Sequence, residues 1–401
     1  MSKVSLPILM LLVVFSPLAI DIYLPSMPTM AAEFAVSDSQ IQSTLIIFLF
    51  AMGLGQLLIG PLVDRFGRRP VALAGACVYG LSSTLAALAT HFDVLLLSRL
   101  LQGLAACSTS IVAFTVVRDC FDTKQMAKIY SYLNGAICVI PALAPSFGGL
   151  LALQFGWRST FIFMTVFAVI MLVVLSLKLK ETKPEHTIID GKLYHWERYL
   201  PILSEPRFMF YALCCMSCMA AILSYVAYSP IWLIGNLGVS ELKFSALFGF
   251  NAVINIIACF AAPKIIQRLG NRPTVLVALG LLVATALLTF VLHHTALADS
   301  IAPDLAFMLP MLGLCIGFAF LLGPATSMAL SCFGSRAGTA TALLGCIQMS
   351  GAAIIAGGLQ HTSLQAPDAV ALICLVLPAM HLLIMARPNL KHWHYEQSSD
   401  V

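Results

Sequence analysis

Apolar runs of about 18 or more residues, the length a helix needs to cross a bilayer, recur along most of this 401-residue chain. Only 10% of its residues are charged and 60% are hydrophobic, whereas a soluble domain carries about a quarter charged. A chain of this kind folds in the lipid bilayer, as an all-α integral membrane protein. The net charge of +4 is spread over short loops, which argues against a nucleic-acid partner.

Reading the runs between charged or turn-rich breaks gives twelve spans: 6–28, 41–62, 71–90, 94–117, 129–152, 159–178, 208–235, 244–264, 273–293, 304–330, 338–360 and 367–386. Lys3 before an apolar stretch imitates a signal peptide. The run is too long for one, however, and ends in Pro25 and Pro28 without a small-x-small cleavage site, so it reads as a retained span. An even number of spans puts both termini on one side. The loops 63–70, 118–128, 178–207, 264–272 and 331–337, with the two tails, hold all but three of the 22 Lys and Arg residues. The opposite loops hold Arg158 and Lys243, so both termini are expected in the cytoplasm. The longest loop divides the chain into a six-span segment 1–178, a linker 179–207 and a six-span segment 208–401. Within the linker, "LYHWERYL" sets Tyr194, Trp196 and Tyr199 beside charges, which suits either a membrane-surface segment or a solvated connection.

The two segments repeat. "DRFGRRP" at 64–70 follows the second span and "QRLGNRP" at 267–273 follows the eighth, with the same residue at four of seven positions. Both copies fall in the cytoplasmic link between the second and third spans of their half, the arrangement of a parallel transporter repeat. Gly67 and Gly270 permit a tight turn there, and Pro70 and Pro273 suit the first turn of the next helix. Asp64 lies beside Arg65, Arg68 and Arg69, whereas its counterpart is Gln267, so the ionic version belongs to the first half alone.

These segments resemble the major facilitator superfamily. "GPLVDRFGRRP" (60–70) is similar to the family's signature between helices 2 and 3, "RLLQG" (99–103) to its fourth-helix pattern, and "GAICVIPALAPSFGG" (135–149) to its fifth-helix antiporter motif. In that last motif Gly135, Gly148 and Gly149 match, and Pro141 with Pro145 stand in for the usual Gly-Pro arrangement. "IDIYLPSMP", "RD" at 118–119, "ETKP" at 181–184 and "AGTATALLG" at 337–345 resemble the bicyclomycin and chloramphenicol resistance branch of proton-coupled drug exporters. The resemblance implies twelve helices in two six-helix bundles working by alternating access in the bacterial inner membrane. It further implies a cytoplasmic conformational gate, carried here by Gly60, Asp64, Arg65, Gly67, Arg68, Arg69, Arg118 and Asp119. Solvated loop charges that only obey the positive-inside rule are the plainer alternative.

One acid, Asp21, and one base, Arg99, lie deep within the spans, and the second half carries no deep charge. Ionisable groups are costly in hydrocarbon, so each is a functional candidate by default. At ~1.5 Å per residue both lie roughly 7–11 Å below the outer surface, so they are expected to pair if helices 1 and 4 adjoin. Burial and a nearby guanidinium act in opposite directions on a carboxylate's proton affinity, which suits a group that holds either a proton or a substrate. Asp21 is therefore the proposed coupling acid, with Arg99 modulating it. A purely structural pair, or an Asp21 hydrated at the outer mouth, is the alternative.

Tyr23, Gln102, Tyr130, Asn134, Tyr225, Tyr228, Asn251, Asn255 and Gln348 are the candidates for contacting a substrate, although such side chains also bridge membrane helices. Most of the 12 cysteines lie inside apolar runs and read as small hydrophobes, and the CxxC within "CCMSC" (214–218) lacks a second pair for zinc. No metal is expected. His293-His294 and "KHWHY" read as solvated. With no Walker motif and no nucleophile–base pair, ATP drive and catalysis are not expected; no cofactor is called for beyond the proton gradient. The resulting expectation is a monomeric proton-coupled multidrug exporter whose partners are small drugs, protons and the bilayer. Export of a sugar or amino-acid derivative is the rival within transport; a non-transporting receptor and a membrane enzyme are more distant.

Overall fold

The computed structural model describes residues 5–121, 123–183, 196–295, 301–331, 333 and 337–394. Among them, twelve helices are long and apolar enough to cross a membrane: span 1 Leu6–Phe34, span 2 Asp38–Phe66, span 3 Arg68–Ala87, span 4 Phe92–Cys120, span 5 Lys128–Phe155, span 6 Arg158–Lys178, span 7 Pro206–Asn236, span 8 Glu241–Leu269, span 9 Asn271–His294, span 10 Pro303–Leu330, span 11 Gly338–Leu359 and span 12 Ala366–Ala386. Each apolar run became one span. Several helices continue past their run into charged residues: span 2, at 29 residues, is roughly 43 Å long and outreaches the ~30 Å hydrocarbon layer. Its start is fixed by a capping box, in which Gln40 N donates to Ser37 Oγ at 3.3 Å and Ser37 N to Gln40 Oε1 at 2.9 Å.

The internal repeat is physical. Spans 2 and 3 are joined through the single residue Gly67 (φ 99°, ψ 169°), and spans 8 and 9 through Gly270 (φ 85°, ψ 167°). Only glycine occupies that region at little cost, so the same one-residue corner is made in both halves. Packing repeats as well. In the first half span 4 lies along spans 1 and 3, span 3 along span 6, and span 1 along span 5. In the second, span 10 lies along spans 7 and 9, span 9 along span 12, and span 7 along span 11.

Two compact units result: Met1–Tyr194 with Leu233–Ala252, and His195–Trp232 with Val253–Val401. The first unit takes in a segment that an even six-plus-six division assigns to the second half. Its contacts explain why: Ser245 Oγ donates to the carbonyl of Pro145 at 3.2 Å, and a Cβ on Gly249 would lie 3.2 Å from the carbonyl of Ala142. Residues 193–195 of "LYHWERYL" and Pro184 of "ETKP" lie outside the described residues. The remainder of the linker forms a 3₁₀ turn, Trp196–Arg198, and a short helix, Leu200–Leu203.

Candidate functional site

Span 1 is broken where its acid lies. A regular helix runs Leu6–Asp21, a 3₁₀ turn covers Leu24–Ser26, and a second helix runs Met27–Phe34. Pro25 has no N–H to give the carbonyl of Asp21 four residues earlier, and its ring crowds that position, so the helix stops there. Asp21 is thereby set at the end of the first helix, only 3% exposed.

Arg99 of span 4 is fully buried. It does not pair with Asp21: among the described residues no ion pair joins them. Its Nη2 donates to the carbonyl of Ala19 at 2.9 Å, its Nε to the carbonyl of Thr44 at 3.3 Å, and its Nη1 to Gln102 Oε1. The guanidinium also lies 4.6 Å from the ring centres of both Tyr23 and Phe48. A sequence comparison of depths anticipates two side chains at one level, but the acceptor that Arg99 meets is a backbone group. The break of span 1 removes the ordinary helical donor for Ala19, and a cation at a helix C-terminus satisfies both the orphaned carbonyl and the dipole.

Tyr23 and Gln102 complete this packed network instead of lining an opening. Both are fully buried. The Tyr23 hydroxyl bonds with Thr44 Oγ1 at 3.0 Å, and Gln102 Nε2 donates to Ser83 Oγ at 2.8 Å. Thr44 and Ser83 carried no sequence signal, because Thr and Ser are ordinary in membrane helices.

The fifth-helix motif meets the break directly. A Cβ on Gly148 would stand 1.7 Å from the carbonyl oxygen of Ile22, and one on Gly149 would be 3.8 Å from the Pro25 ring and 3.4 Å from Ser245 Oγ. Gly148 therefore lets span 5 cross span 1 at the residue after Asp21. Gly135 has no such neighbour, and Pro141 and Pro145 sit inside a continuous helix, Thr123–Phe155.

On the side expected to be cytoplasmic, the loop charges form one cluster in the first unit. Arg68, 2% exposed, donates from Nε to Asp119 Oδ2 at 2.7 Å and from Nη1 to the carbonyl of Val63 at 3.1 Å. Asp64 is 3.6 Å from the same guanidinium and half exposed, and Arg118 reaches Asp119 only at 4.0 Å. Arg69 binds the carbonyl of Ser176 at 2.9 Å, while Arg65 offers its own carbonyl to Lys183 Nζ at 2.8 Å. Gly60 has open space where a side chain would be.

Glu181 is the member that residue-type reasoning missed. Its carboxylate accepts the N–H of Arg68 at 2.8 Å, of Arg69 at 3.1 Å, of Thr182 at 3.0 Å and of Lys183 at 2.9 Å, capping the positive end of span 3. Partial burial pushes its carboxyl up, but the four backbone donors outweigh that and hold it below the usual range. The positive φ of Gly67 calls for glycine, and a Cβ there, 2.4 Å from this carboxylate, would also push Glu181 off its donors. The signal was present in "ETKP", an acid just past the end of span 6.

The remaining substrate candidates differ in exposure. Tyr225, Tyr228 and Asn251 are buried, Tyr130 and Gln348 are half-buried, and Asn134 is exposed. Asn255 Oδ1 is 3.8 Å from Cys259 Sγ, and Tyr130 donates to the carbonyl of Phe114 at 3.2 Å. Gln348 lies in a π-helical stretch of span 11, Ile347–Gly351, a local widening often found at functional positions. Two expectations need correction. Asp304, in the first turn of span 10, is a buried acid of the second half, at 5% exposure. His294 does not end in solvent alone but bonds Asp368 Oδ1 at 2.7 Å, tying spans 9 and 12. Cys214, Cys215 and Cys218 are buried, and among the described residues no group of His, Cys, Asp or Glu could hold a metal ion.

Twelve membrane-crossing helices in two repeating sets, with a charge cluster at the repeated corner, define a multi-pass membrane protein of transporter architecture. The chain belongs to the Major Facilitator Superfamily, whose family model matches residues 9–356, and that family comprises transporters and not enzymes. It is 32% identical over 343 residues to "Multidrug resistance protein MdtL" of Shewanella oneidensis, covering 86% of this chain and 85% of the relative. It is 31% identical over 393 residues to the protein of the same name from Vibrio parahaemolyticus, covering 96% of each. Its fold is similar to the crystal structure of a D-xylose-proton symporter, with a TM-score of 0.78, 16% identity and coverage of 96% of this chain and 98% of that one.

Proposed function

We propose that this protein is a proton-coupled exporter of small hydrophobic or amphiphilic drugs, acting as a monomer in the bacterial inner membrane with both termini in the cytoplasm. Kinship with proteins named for multidrug resistance supports the cargo class. The observation that carries the coupling is Asp21, buried at the break of span 1, with Arg99 of span 4 engaged by other groups. A carboxylate in that position is costly when charged and has no partner to offset the cost. It is relieved by a proton, or by opening toward water or a cationic substrate. Binding of one therefore disfavours the other, which is the requirement of an antiporter.

Arg99 acts in this scheme as a positioning residue. By holding the carbonyl of Ala19 it fixes the end of the helix that presents Asp21. The Arg68–Asp119 pair, with Glu181 on the start of span 3, serves as the cytoplasmic gate that must re-form in each cycle. Tyr130, Asn134, Tyr225, Tyr228, Asn251, Asn255 and Gln348 are the proposed substrate contacts. Membership of the bicyclomycin and chloramphenicol resistance branch is part of the same proposal.

The test uses purified protein in liposomes with an acidic lumen and a trapped pH-sensitive dye. Adding chloramphenicol or a lipophilic cation should release protons from wild-type liposomes and not from Asp21→Asn. Release from both would remove Asp21 from the coupling role while leaving antiport standing. Silence in both, with folded protein and a broad drug panel, would refute drug–proton antiport.

A further inference from the structure

Within the first unit, span 1 is held to the start of span 6 at two points, one at each end of the half-helix Met27–Phe34 that follows the break. Beside the break, the Tyr23 ring packs 5.7 Å from that of Phe161 and 4.6 Å from the Arg99 guanidinium. At the far end Glu33 is clasped. Its carboxylate accepts from Trp157 Nε1 at 2.5 Å and from Arg158 Nη1, while Arg158 Nη2 donates to the carbonyl of Ala89 at 3.0 Å. One guanidinium therefore joins the ends of spans 1 and 3 to the start of span 6. It also lies 4.3 Å from the Trp157 ring centre, and the Phe34 ring packs 5.6 Å from the same indole. Trp157 and Phe161 stand four residues apart with their rings at 5.9 Å, so both grips come from one face of span 6.

The two grips differ in kind. Tyr23, Phe161 and Trp157 are buried, whereas the Arg158 and Glu33 side chains are 37% and 43% exposed. An ion pair with that much access to water is weak and opens easily, which buried aromatic packing does not. Residues 22–26 are all covered, and the half-helix is the part of span 1 between Asp21 and the end expected to face outward. Ala35, next in the chain, sits at φ 51°, a left-handed conformation that residues other than glycine seldom adopt. Among the described residues, the charged groups that bear on this segment are Arg158 of span 6, at Glu33, and Arg99 of span 4, at the break.

We propose that Glu33, Trp157 and Arg158 form an outer latch on span 1, which when closed keeps the half-helix over Asp21 and when open admits outer water to it. Glu33 and Arg158 are positioning residues: they take no part in the proton transfer and act through the half-helix. The latch rests on the proton-coupled reading of Asp21 above. Water favours the charged form of a carboxylate, so a weakened latch makes Asp21 harder to protonate and moves exchange to lower pH.

The test follows drug-triggered proton release against pH, in proteoliposomes of the full-length protein with a trapped pH dye and chloramphenicol or tetraphenylphosphonium. In Glu33→Gln and in Arg158→Gln the half-maximal pH should fall, by about half a unit in each. The shared direction is the signature of a latch. A direct effect of charge on Asp21 would lower the midpoint for the lost anion and raise it for the lost cation, and opposite shifts overturn the proposal. An unmoved midpoint in either variant overturns it too, even where the melting temperature drops. Arg158→Lys keeps the charge but cannot bind Glu33 and Ala89 together, so its midpoint should fall as well. That variant decides if Arg158→Gln does not fold, and an unmoved midpoint in it overturns the latch. A wild type that exchanges drug without releasing protons defeats the coupled reading itself, before any variant is compared.

Discussion

The carbonyl oxygen of Ile22 stands 1.7 Å from where Gly148 would carry a Cβ. Span 5 thus crosses span 1 backbone to backbone, one residue beyond the buried acid. The family resemblance marks Gly148 as part of a motif; the packing says what the absent side chain is for.

Backbone cannot rotate out of the way as a side chain can, so Gly148→Ala should be destabilising. Overpacking of a tight site costs about 1–3 kcal/mol, and here the neighbour is a carbonyl at a helix break. Thermal unfolding of detergent-purified protein should show a lowered midpoint for Gly148→Ala. Gly135→Ala, with open space around it, should melt with the wild type. Equal behaviour of the two variants would refute the close crossing.

Arg99→Lys should behave as a loss, although charge is conserved. Lysine cannot reach the Ala19 carbonyl, the Thr44 carbonyl and Gln102 together, nor lie flat between Tyr23 and Phe48. Each buried acceptor left without a donor costs about 1–3 kcal/mol. Both stability and drug-triggered proton release should fall. A lysine variant with wild-type transport would show that only the charge matters.

Breaking the buried pair at the corner should cost more than trimming its exposed edge. Arg68→Ala leaves the covered Asp119 with only Arg118, 4.0 Å away and exposed, and losing the close partner of a buried pair is worth about 3–5 kcal/mol. Asp64→Asn removes a half-exposed partner at 3.6 Å, where an ion pair is worth about 0–1 kcal/mol. Melting curves of the two single variants should separate them clearly, and comparable losses would argue against the burial difference.

Glu181 gives a pH signature with a definite sign. Its carboxyl is held below the ordinary value in the folded protein, so its stabilising contribution is present above the unfolded-state value of about 4.3. That contribution disappears as pH falls through the folded-state value. Glu181→Gln should therefore melt below wild type at pH 7, with the gap closing as melts are taken into the acid range. The group is partly exposed, so the gap is modest. Coincident curves at pH 7 would remove Glu181 from the cap of span 3.

Sequence alone determined the spans and the repeated corner. Lipid leaves no backbone polar group unsatisfied, so an apolar run of that length must become a helix, and every such run did. Gly67 and Gly270 could be read as turn residues because no other residue occupies that backbone region cheaply. The prolines after Asp21 could likewise be read as a break. Partners were another matter. Spacing along a helix gives depth and face, and it led to the expectation that Asp21 and Arg99 pair, which they do not. Which group a guanidinium meets depends on how neighbouring helices rotate and on which carbonyls a break has left open. Only the tertiary structure therefore decided that Arg99 takes Ala19, that Tyr23 and Gln102 are packed away beside it, and that Glu181 reaches across more than a hundred residues to cap span 3. Helix formation is a local response to lipid, whereas side-chain pairing is settled by contacts between segments far apart in the chain.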